Sequence, residues 1–129
     1  MSYYHSKVLT GVSFEEAIEK VTAGLKTGGF GVLTQIDMKA TLKAKLDEDI
    51  QPYTILGACN PGFAFKALTA EDKIGTMLPC NVIVQHIAAG IEVAAVDPVA
   101  SMQAVENASL APIATEVRSK LHRAIDRLE

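Results

Sequence analysis

The chain has 129 residues, of which 49% are hydrophobic and 21% charged, and its formal net charge is −3 at pH 7. A chain of this length is long enough to bury a core, so we predict a single domain over residues 1–129. The composition excludes the disordered, collagen-like and disulfide-scaffold classes. The negative charge and the lack of tryptophan offer little to phosphate backbones or stacked bases, so we expect no nucleic-acid partner.

The N-terminal sequence MSYYHSKVLTG lacks the basic region, apolar stretch and cleavage site of a secretory signal. No uninterrupted apolar run reaches the ~20 residues that a membrane-spanning helix needs. We therefore expect a soluble, cytoplasmic protein without a membrane partner. In a reducing cytosol its two cysteines, Cys59 and Cys80, are expected as free thiols more often than as a disulfide.

A strand and an amphipathic helix are predicted at the start of the chain. The stretch YYHSKVLT is rich in aromatic and β-branched residues, which is typical of a strand. The helix follows in SFEEAIEKVTAGLKTGG, where Ser13 can act as N-cap and two glycines can end the helix. Its apolar residues recur at helical spacing and are Phe14, Ala17, Ile18, Val21 and Leu25.

The stretch FGVLTQID predicts a second strand, after which Asp37 is placed to cap a short helix, MKATLKAKLDED. YTILGAC is a third, nearly all apolar strand, and PGFAFKALTAED predicts a third helix. CNVIVQHI and IEVAAVD are two further strands, and the AAG between them is short enough for an antiparallel hairpin. The C-terminal residues 109–129 predict a long helix with an apolar stripe, formed by Leu110, Ile113, Val117, Leu121, Ala124, Ile125 and Leu128.

This order of elements, βαβαβαββα, indicates the α/β (α+β) class. Strands that alternate with helices favour parallel neighbours, whereas the late hairpin requires at least one antiparallel pair. We therefore predict a two-layer sandwich with a mixed five-stranded sheet and helices mainly on one face; helices on both faces are the alternative. An apolar sheet face left uncovered favours a homodimer.

The stretch ACNPGF has a structural explanation as the junction between a strand and a helix. Pro61 suits the first helical position, and Asn60 before it is among the best N-cap residues. Cys59 is not required by that junction. A thiol just outside a helix N-terminus is favoured as a thiolate, which would suit nucleophilic chemistry or metal binding, whereas the usual fate of a free cysteine is simple packing.

The second Cys-Asn step opens the fourth strand, after Pro79. Cys80 and His86 would share a face of this strand, but their separation of roughly 20 Å excludes a common metal ion. No Cys-x-x-Cys or His-x-x-x-His spacing supports a zinc site, so any metal would be bound by Cys59 and Cys80. Whether these two cysteines meet depends on whether their strands are parallel or antiparallel neighbours.

Signals for catalysis are weak. The glycines of KTGGFG close a helix and open a strand, unlike a phosphate-binding loop, which opens a helix. No Gly-x-Ser-x-Gly sequence orders a serine with a histidine and an aspartate. The sequence thus contains no recognisable catalytic motif, we name no catalytic residue, and the cofactor stays unknown.

The stretches GACNPGFAFKAL and IGTMLPCNVIV resemble the Domain of Unknown Function 302 family of bacterial and archaeal proteins. The resemblance extends from SFEEAIEKV to VAAVDP, and its signature is the Gly-x-x-Asn-Pro junction from Gly57 to Pro61 with the later Leu78 and Pro79. The chain is similar to the branch of this family with both Ala-Cys-Asn-Pro and Leu-Pro-Cys-Asn-Val. The resemblance implies a compact α/β domain, commonly dimeric, with no established activity.

Two hypotheses follow. The first is a homodimer that binds a small-molecule ligand or a partner near the two Cys-Asn steps, because α/β sheets place ligand sites at strand ends. Its candidate site residues are Cys59, Asn60, Pro61, Pro79, Cys80 and Asn81. The alternative is thiol redox chemistry, or binding of a soft metal such as copper or zinc, by Cys59 and Cys80.

Overall fold

The computed structural model describes residues 2–129 and contains five strands, five α-helices and one 3₁₀ helix within that range. The strands are β1 (Tyr4–Leu9), β2 (Gly31–Asp37), β3 (Tyr53–Cys59), β4 (Cys80–Ile87) and β5 (Gly90–Val96). The helices are α1 (Phe14–Thr27), α2 (Met38–Leu46), α3 (Pro61–Ala70), α4 (Pro98–Ser101) and α5 (Leu110–Asp126). The 3₁₀ helix, Asp72–Met77, connects α3 to β4.

The N-caps predicted for α1 and α2 are confirmed. Ser13 Oγ accepts a hydrogen bond from the Glu16 N–H at 3.1 Å, and Asp37 Oδ1 accepts one from the Ala40 N–H at 2.9 Å. The two helices differ in what they bury. Helix α1 buries three side chains of its predicted stripe, whereas α2 buries none and leaves Leu46 65% exposed.

The strands form one sheet in the order β1-β5-β4-β3-β2, and all four neighbouring pairs are antiparallel. The five strands and the α/β class are confirmed, but the prediction of a mixed sheet with parallel neighbours was wrong. Strands β1 and β2 do run in the same direction, yet they lie at opposite edges because the α1 connection crosses the whole sheet. Helices α2 and α3 each lie within a connection that returns to the adjacent strand, so they join antiparallel neighbours.

The core lies between one face of this sheet and helices α1 and α5, which confirms the predicted two layers. Leu56, Val82, Val84 and Val93 contribute from the strands and are fully buried. The helices contribute the buried side chains of Ala17, Val21, Leu25, Val117, Leu121, Ala124 and Ile125. On the opposite face, by strand alternation, Tyr4, Val8 and Ile36 remain exposed.

None of the helices within residues 2–129 combines the length and the apolar character needed to cross a membrane.

Candidate functional site: an apolar cavity at the end of the sheet

The junction between β3 and α3 forms as the sequence predicts. Asn60 is the N-cap of α3, and its Oδ1 accepts a hydrogen bond from the Phe63 N–H at 3.4 Å. Pro61 occupies the first turn, where its missing N–H costs no hydrogen bond. The local structure here follows from residues within three positions of one another.

The start of β4 packs closely against this junction. The Leu78-Pro79 peptide bond is cis, and Pro79 lies over Gly57 of β3. A Cβ atom at Gly57 would lie 2.7 Å from Pro79 Cγ and would also clash with Thr34 Oγ1 of β2. The lack of a side chain at Gly57 therefore lets β2 and the proline approach β3 from either side.

The register of the antiparallel strands answers whether the two cysteines face each other. Cys80 lies opposite Ala58, whereas Cys59 lies opposite Gly31 on the other side of β3. The two cysteines are thus one residue out of register and are not a directly opposed pair. Both are free thiols; Cys80 is buried and Cys59 half-buried.

Both cysteines line one half-open cavity of about 330 Å³, bordered by the ends of β3 and β4, helices α3 and α5 and the 3₁₀ helix. Four of the six predicted site residues contribute to its wall, namely Cys59, Asn60, Pro79 and Cys80. The other walls include Phe63, Ala64 and Ala67 of α3, Ala114 and Val117 of α5, and Met102. The cavity thus lies at the ends of β3 and β4, which is where the sequence predicts a ligand site.

The two other predicted residues lie outside this cavity. Pro61 is exposed in the first turn of α3. Asn81 is exposed on the opposite face of the sheet, where it lines a shallow depression with Tyr53 and Ile83. Neighbouring residues of a strand point to opposite faces, so Asn81 is separated from Cys80 by the sheet itself.

The cavity wall carries no ionised side chain. Its eighteen lining residues include no Asp, Glu, Lys, Arg or His, and Asn60 is the only one whose side chain has an N–H or O–H group. Burial raises the pKa of the Cys80 thiol from 9.0 to about 11, and the neighbouring Cys59 adds to that rise. Cys80 is therefore protonated at neutral pH and adds no charge to the largely apolar wall.

The sequence analysis missed a second polar cluster, which lies between β1 and α5. His5 Nε2 lies 2.7 Å from Asp126 Oδ1, and the rings of His5 and His122 stack with centroids 4.0 Å apart. Lys7 Nζ donates hydrogen bonds to the carbonyl oxygens of Asp126, at 3.0 Å, and of Leu128. His5 and Asp126 are 121 positions apart, so no local pattern could have indicated their contact.

Within this cluster, His122 Nε2 is buried and has no hydrogen-bond partner within residues 2–129. Burial and the nearby His5 and Arg118 lower the pKa of His122, while the hydrogen bond from His5 lowers the pKa of Asp126. No group of three or more His, Cys, Asp or Glu side chains in the described part of the chain could hold a metal ion. The cluster is a polar contact between β1 and α5.

Comparison with known proteins agrees with this architecture. The family model "Domain of unknown function DUF302" matches residues 5–128, so the chain belongs to the DUF302 family. The crystal structure of an uncharacterized conserved DUF302 protein from Bacillus stearothermophilus is similar, with a TM-score of 0.92 and 26% sequence identity over 100% of both chains. A comparison with curated proteins gave no match. The family resemblance read from the sequence is confirmed.

Proposed function

We propose that this protein binds a small apolar molecule in the cavity between β3, β4, α3 and α5. The observation that carries the proposal is the cavity itself, which is about 330 Å³ in volume and is lined by apolar side chains at the end of the sheet. Ligand sites are typically concave, mostly apolar and of this size or larger, with a small number of polar groups. Cys59, Asn60 and Cys80 are the polar groups available here.

A cavity-filling variant tests this proposal. Ala64 lines the cavity from α3, so Ala64→Phe places a ring where the ligand would lie. We expect the wild-type protein to bind the uncharged fluorescent probe N-phenyl-naphthylamine, and Ala64→Phe to bind it at least about tenfold more weakly. Ala44→Phe is the matched control, because Ala44 is an exposed residue of α2 and lines none of the cavities described above.

Circular dichroism would verify that both variants are folded. Probe binding that is unchanged by Ala64→Phe, or no binding by the wild-type protein, would contradict the proposal.

The alternative function is soft-metal binding or thiol redox chemistry, and one observation favours it. Cys59, Cys80 and Met102 all line the cavity, so three sulfur-containing residues border one space. Soft thiolate and thioether ligands select copper(I). The raised pKa of Cys80 opposes this function at neutral pH, because a metal would first have to displace the thiol proton.

Titration with copper(I) against a chromogenic chelator separates the two functions. Tight binding of one copper ion that is lost in both Cys59→Ser and Cys80→Ser would favour the metal function. If the wild-type protein binds copper(I) no more tightly than a variant lacking both cysteines does, the metal function is contradicted. The proposal of ligand binding is then unaffected.

We also propose a homodimer that forms through the sheet face opposite α1 and α5. By strand alternation, Glu92 is the only Asp, Glu, Lys or Arg side chain that the strands present there, and Gln85 Nε2 donates a hydrogen bond to its Oε1 at 2.7 Å. Tyr4, Val8 and Ile36 lie on this face and are 45%, 39% and 45% exposed. Two copies can therefore meet without repulsion between many like charges.

The oligomeric state tests this interface. We expect light scattering to give the mass of a dimer for the wild-type protein and of a monomer for Ile83→Lys, which places a charge within this face. Leu46→Lys is the control, because Leu46 is exposed on α2. A monomeric wild-type protein would contradict the proposed dimer.

A further inference from the structure

We infer that protons control the proposed homodimer, because Glu92 of each copy has to be neutral when the two sheet faces meet. This inference rests on the dimer proposed above and names the regulation of that interface. Three observations carry it, namely the position of Glu92 on the face, the lack of a cation on the strands that form this face, and the single hydrogen bond that Glu92 accepts.

Glu92 lies close to the centre of the face that a second copy would cover. Ile83 is at the midpoint of β4, which is the middle strand of the five. Glu92 is on the adjacent strand β5 and pairs with Gln85, two residues beyond Ile83. With about 3.4 Å per residue and about 4.8 Å between strands, Glu92 is roughly 8 Å from Ile83. It is half-buried in a single copy, so a second copy on this face would remove it from water.

The symmetry of a homodimer brings Glu92 of both copies into one interface. A twofold interface uses the same patch of each subunit, so the face meets a face of identical composition. If the axis passes close to Ile83, the two Glu92 residues lie within about 17 Å of each other along the interface. The repulsion between two like charges at this separation increases when the water between the faces is displaced.

The same symmetry prevents the partner copy from supplying a counter-ion from this patch. By strand alternation the face holds no Lys, Arg or His, since His5 and His86 belong to the other side of β1 and β4. Val8 and Gln85 are the residues paired with Glu92 from the adjacent strands. Within residues 2–129, Glu92 takes part in none of the ion pairs.

The other titratable side chains of this face cannot neutralise Glu92. They are Tyr3, which borders the same depression, and Tyr4, Tyr53 and Cys59 of the strands. Phenols and thiols are neutral or negative and never positive. An ionised Glu92 would therefore lose its hydration at the interface without gaining a cation from either face, which is strongly unfavourable.

The single hydrogen bond to Glu92 compensates only part of this loss. Gln85 Nε2 donates to Glu92 Oε1 at 2.7 Å, and no other donor to this carboxylate is present within residues 2–129. An ionised carboxylate has about four acceptor sites, whereas a protonated one needs fewer donors and can itself donate. The closed interface therefore favours the protonated side chain.

Proton uptake makes the association depend on pH. Each copy takes up one proton from the solvent as the faces meet and releases it when they separate. A group that is disfavoured in its charged form holds its proton to a higher pH than it does in water. The dimer is therefore strengthened in acid, and this gain is lost as the pH rises through the range in which the interface releases its protons.

Sedimentation equilibrium of the full chain tests the inference by giving the dissociation constant of the dimer at pH 7.5 and at pH 5.5. We expect the wild-type constant to be at least about tenfold lower at pH 5.5 than at pH 7.5. Glu92→Gln keeps the shape of the side chain but cannot ionise. Its constant should be at least about tenfold below the wild-type value at pH 7.5, and should change less than about twofold between the two pH values.

Glu19→Gln is the matched control, because Glu19 is exposed on α1 and the variant removes the same charge on the other side of the sheet. We expect it to keep the wild-type dissociation constant and its dependence on pH. Circular dichroism at both pH values would verify that each variant is folded.

The outcomes separate this inference from the proposed dimer. If Glu92→Gln fails to tighten the dimer, or leaves the dependence on pH at its wild-type size, the role of Glu92 is overturned while the dimer itself stands. Weaker association of Glu92→Gln than of the wild-type protein would also overturn it, since Glu92 would then pair with a cation of the partner copy. If neither protein associates at either pH, the proposed dimer falls and the inference falls with it.

Discussion

The cavity at the β3–α3 junction and the histidine cluster between β1 and α5 are built on the same helix but have opposite chemistry. The N-terminal half of α5 gives the cavity Ala114 and Val117, which are apolar. The C-terminal half gives the cluster His122 and Asp126, which stack on His5 and bind it. The fold thus separates a region suited to an uncharged ligand from a region whose charge depends on pH.

This difference shows that a conspicuous polar motif in the sequence does not by itself mark a polar environment in the structure. The Cys-Asn-Pro stretch is the most conspicuous polar motif, yet it borders an uncharged cavity. His122 belongs to no motif, yet burial and the nearby His5 and Arg118 lower its pKa in the folded protein.

The largest expected effect comes from a core residue of α5, the helix that both regions share. Leu121 is fully buried on α5, between Val117 and His122. We expect Leu121→Ala to lower the free energy of unfolding by about 2–5 kcal/mol, because it removes buried methyl groups and leaves a void. Urea unfolding would measure the loss, with Glu116→Ala on the exposed side of α5 as control. A loss no larger than that of the control would contradict the packing of Leu121 in the core.

A smaller effect is expected where β3 contacts Thr34 of β2 and Pro79, beside the cavity. Gly57→Ala would place a Cβ 2.7 Å from Pro79 Cγ and against Thr34 Oγ1, so we expect a loss of about 1–3 kcal/mol from overpacking. Gly31→Ala is the matched control, because an added Cβ at Gly31 meets nothing within 4 Å.

A double-mutant cycle with Thr34→Ala would locate the cause. If the contact with Thr34 contributes, the double variant loses less stability than the sum of the two single variants. Strict additivity would assign the effect of Gly57→Ala to Pro79 alone.

The smallest effect is expected at the histidine cluster, and only in acid. The fold lowers the pKa of His122 below its ordinary 6.5, so the unfolded chain binds more protons than the folded one below that pH. The stability that neutral His122 maintains is complete above pH 6.5 and falls as the pH drops towards the lowered pKa. The groups that act on His122 are His5, Arg118, Asp97 and Asp126.

His122→Phe keeps a ring stacked on His5 and removes the titrating nitrogen. We expect this variant to lose less stability than the wild-type protein between pH 7 and pH 5, as measured by urea unfolding at each pH. His86→Phe is the control, since His86 is exposed on β4. Identical pH profiles for His122→Phe and the wild-type protein would remove the assignment of pH sensitivity to this cluster.

Much of the cavity wall could be predicted from the sequence because its residues follow local rules. Asn60 and Pro61 form an N-cap junction that residues three positions apart determine, and the apolar strand before it ends at Cys59. The sequence also separates Asn81 from Cys80, because the alternation of side chains that puts Cys80 and His86 on one face of the strand puts Asn81 on the other.

The topology could not be predicted in the same way. Alternating strands and helices usually indicate parallel pairing, but the same order arises when helices are inserted into connections between antiparallel neighbours. The choice depends on which strands pair, and that depends on contacts between residues far apart in the chain. The pairing of Ala58 with Cys80 is such a contact.

By itself the sequence determined the caps of α1, α2 and α3, the buried stripes of α1 and α5 and the family, because each depends on residues a few positions apart or on a continuous motif. Only the tertiary structure decided that Cys59 and Cys80 are one residue out of register, that they border one uncharged cavity, and that His5 meets Asp126. The physical reason is that strand register and helix packing are set by the burial of the whole apolar face, which no short segment specifies.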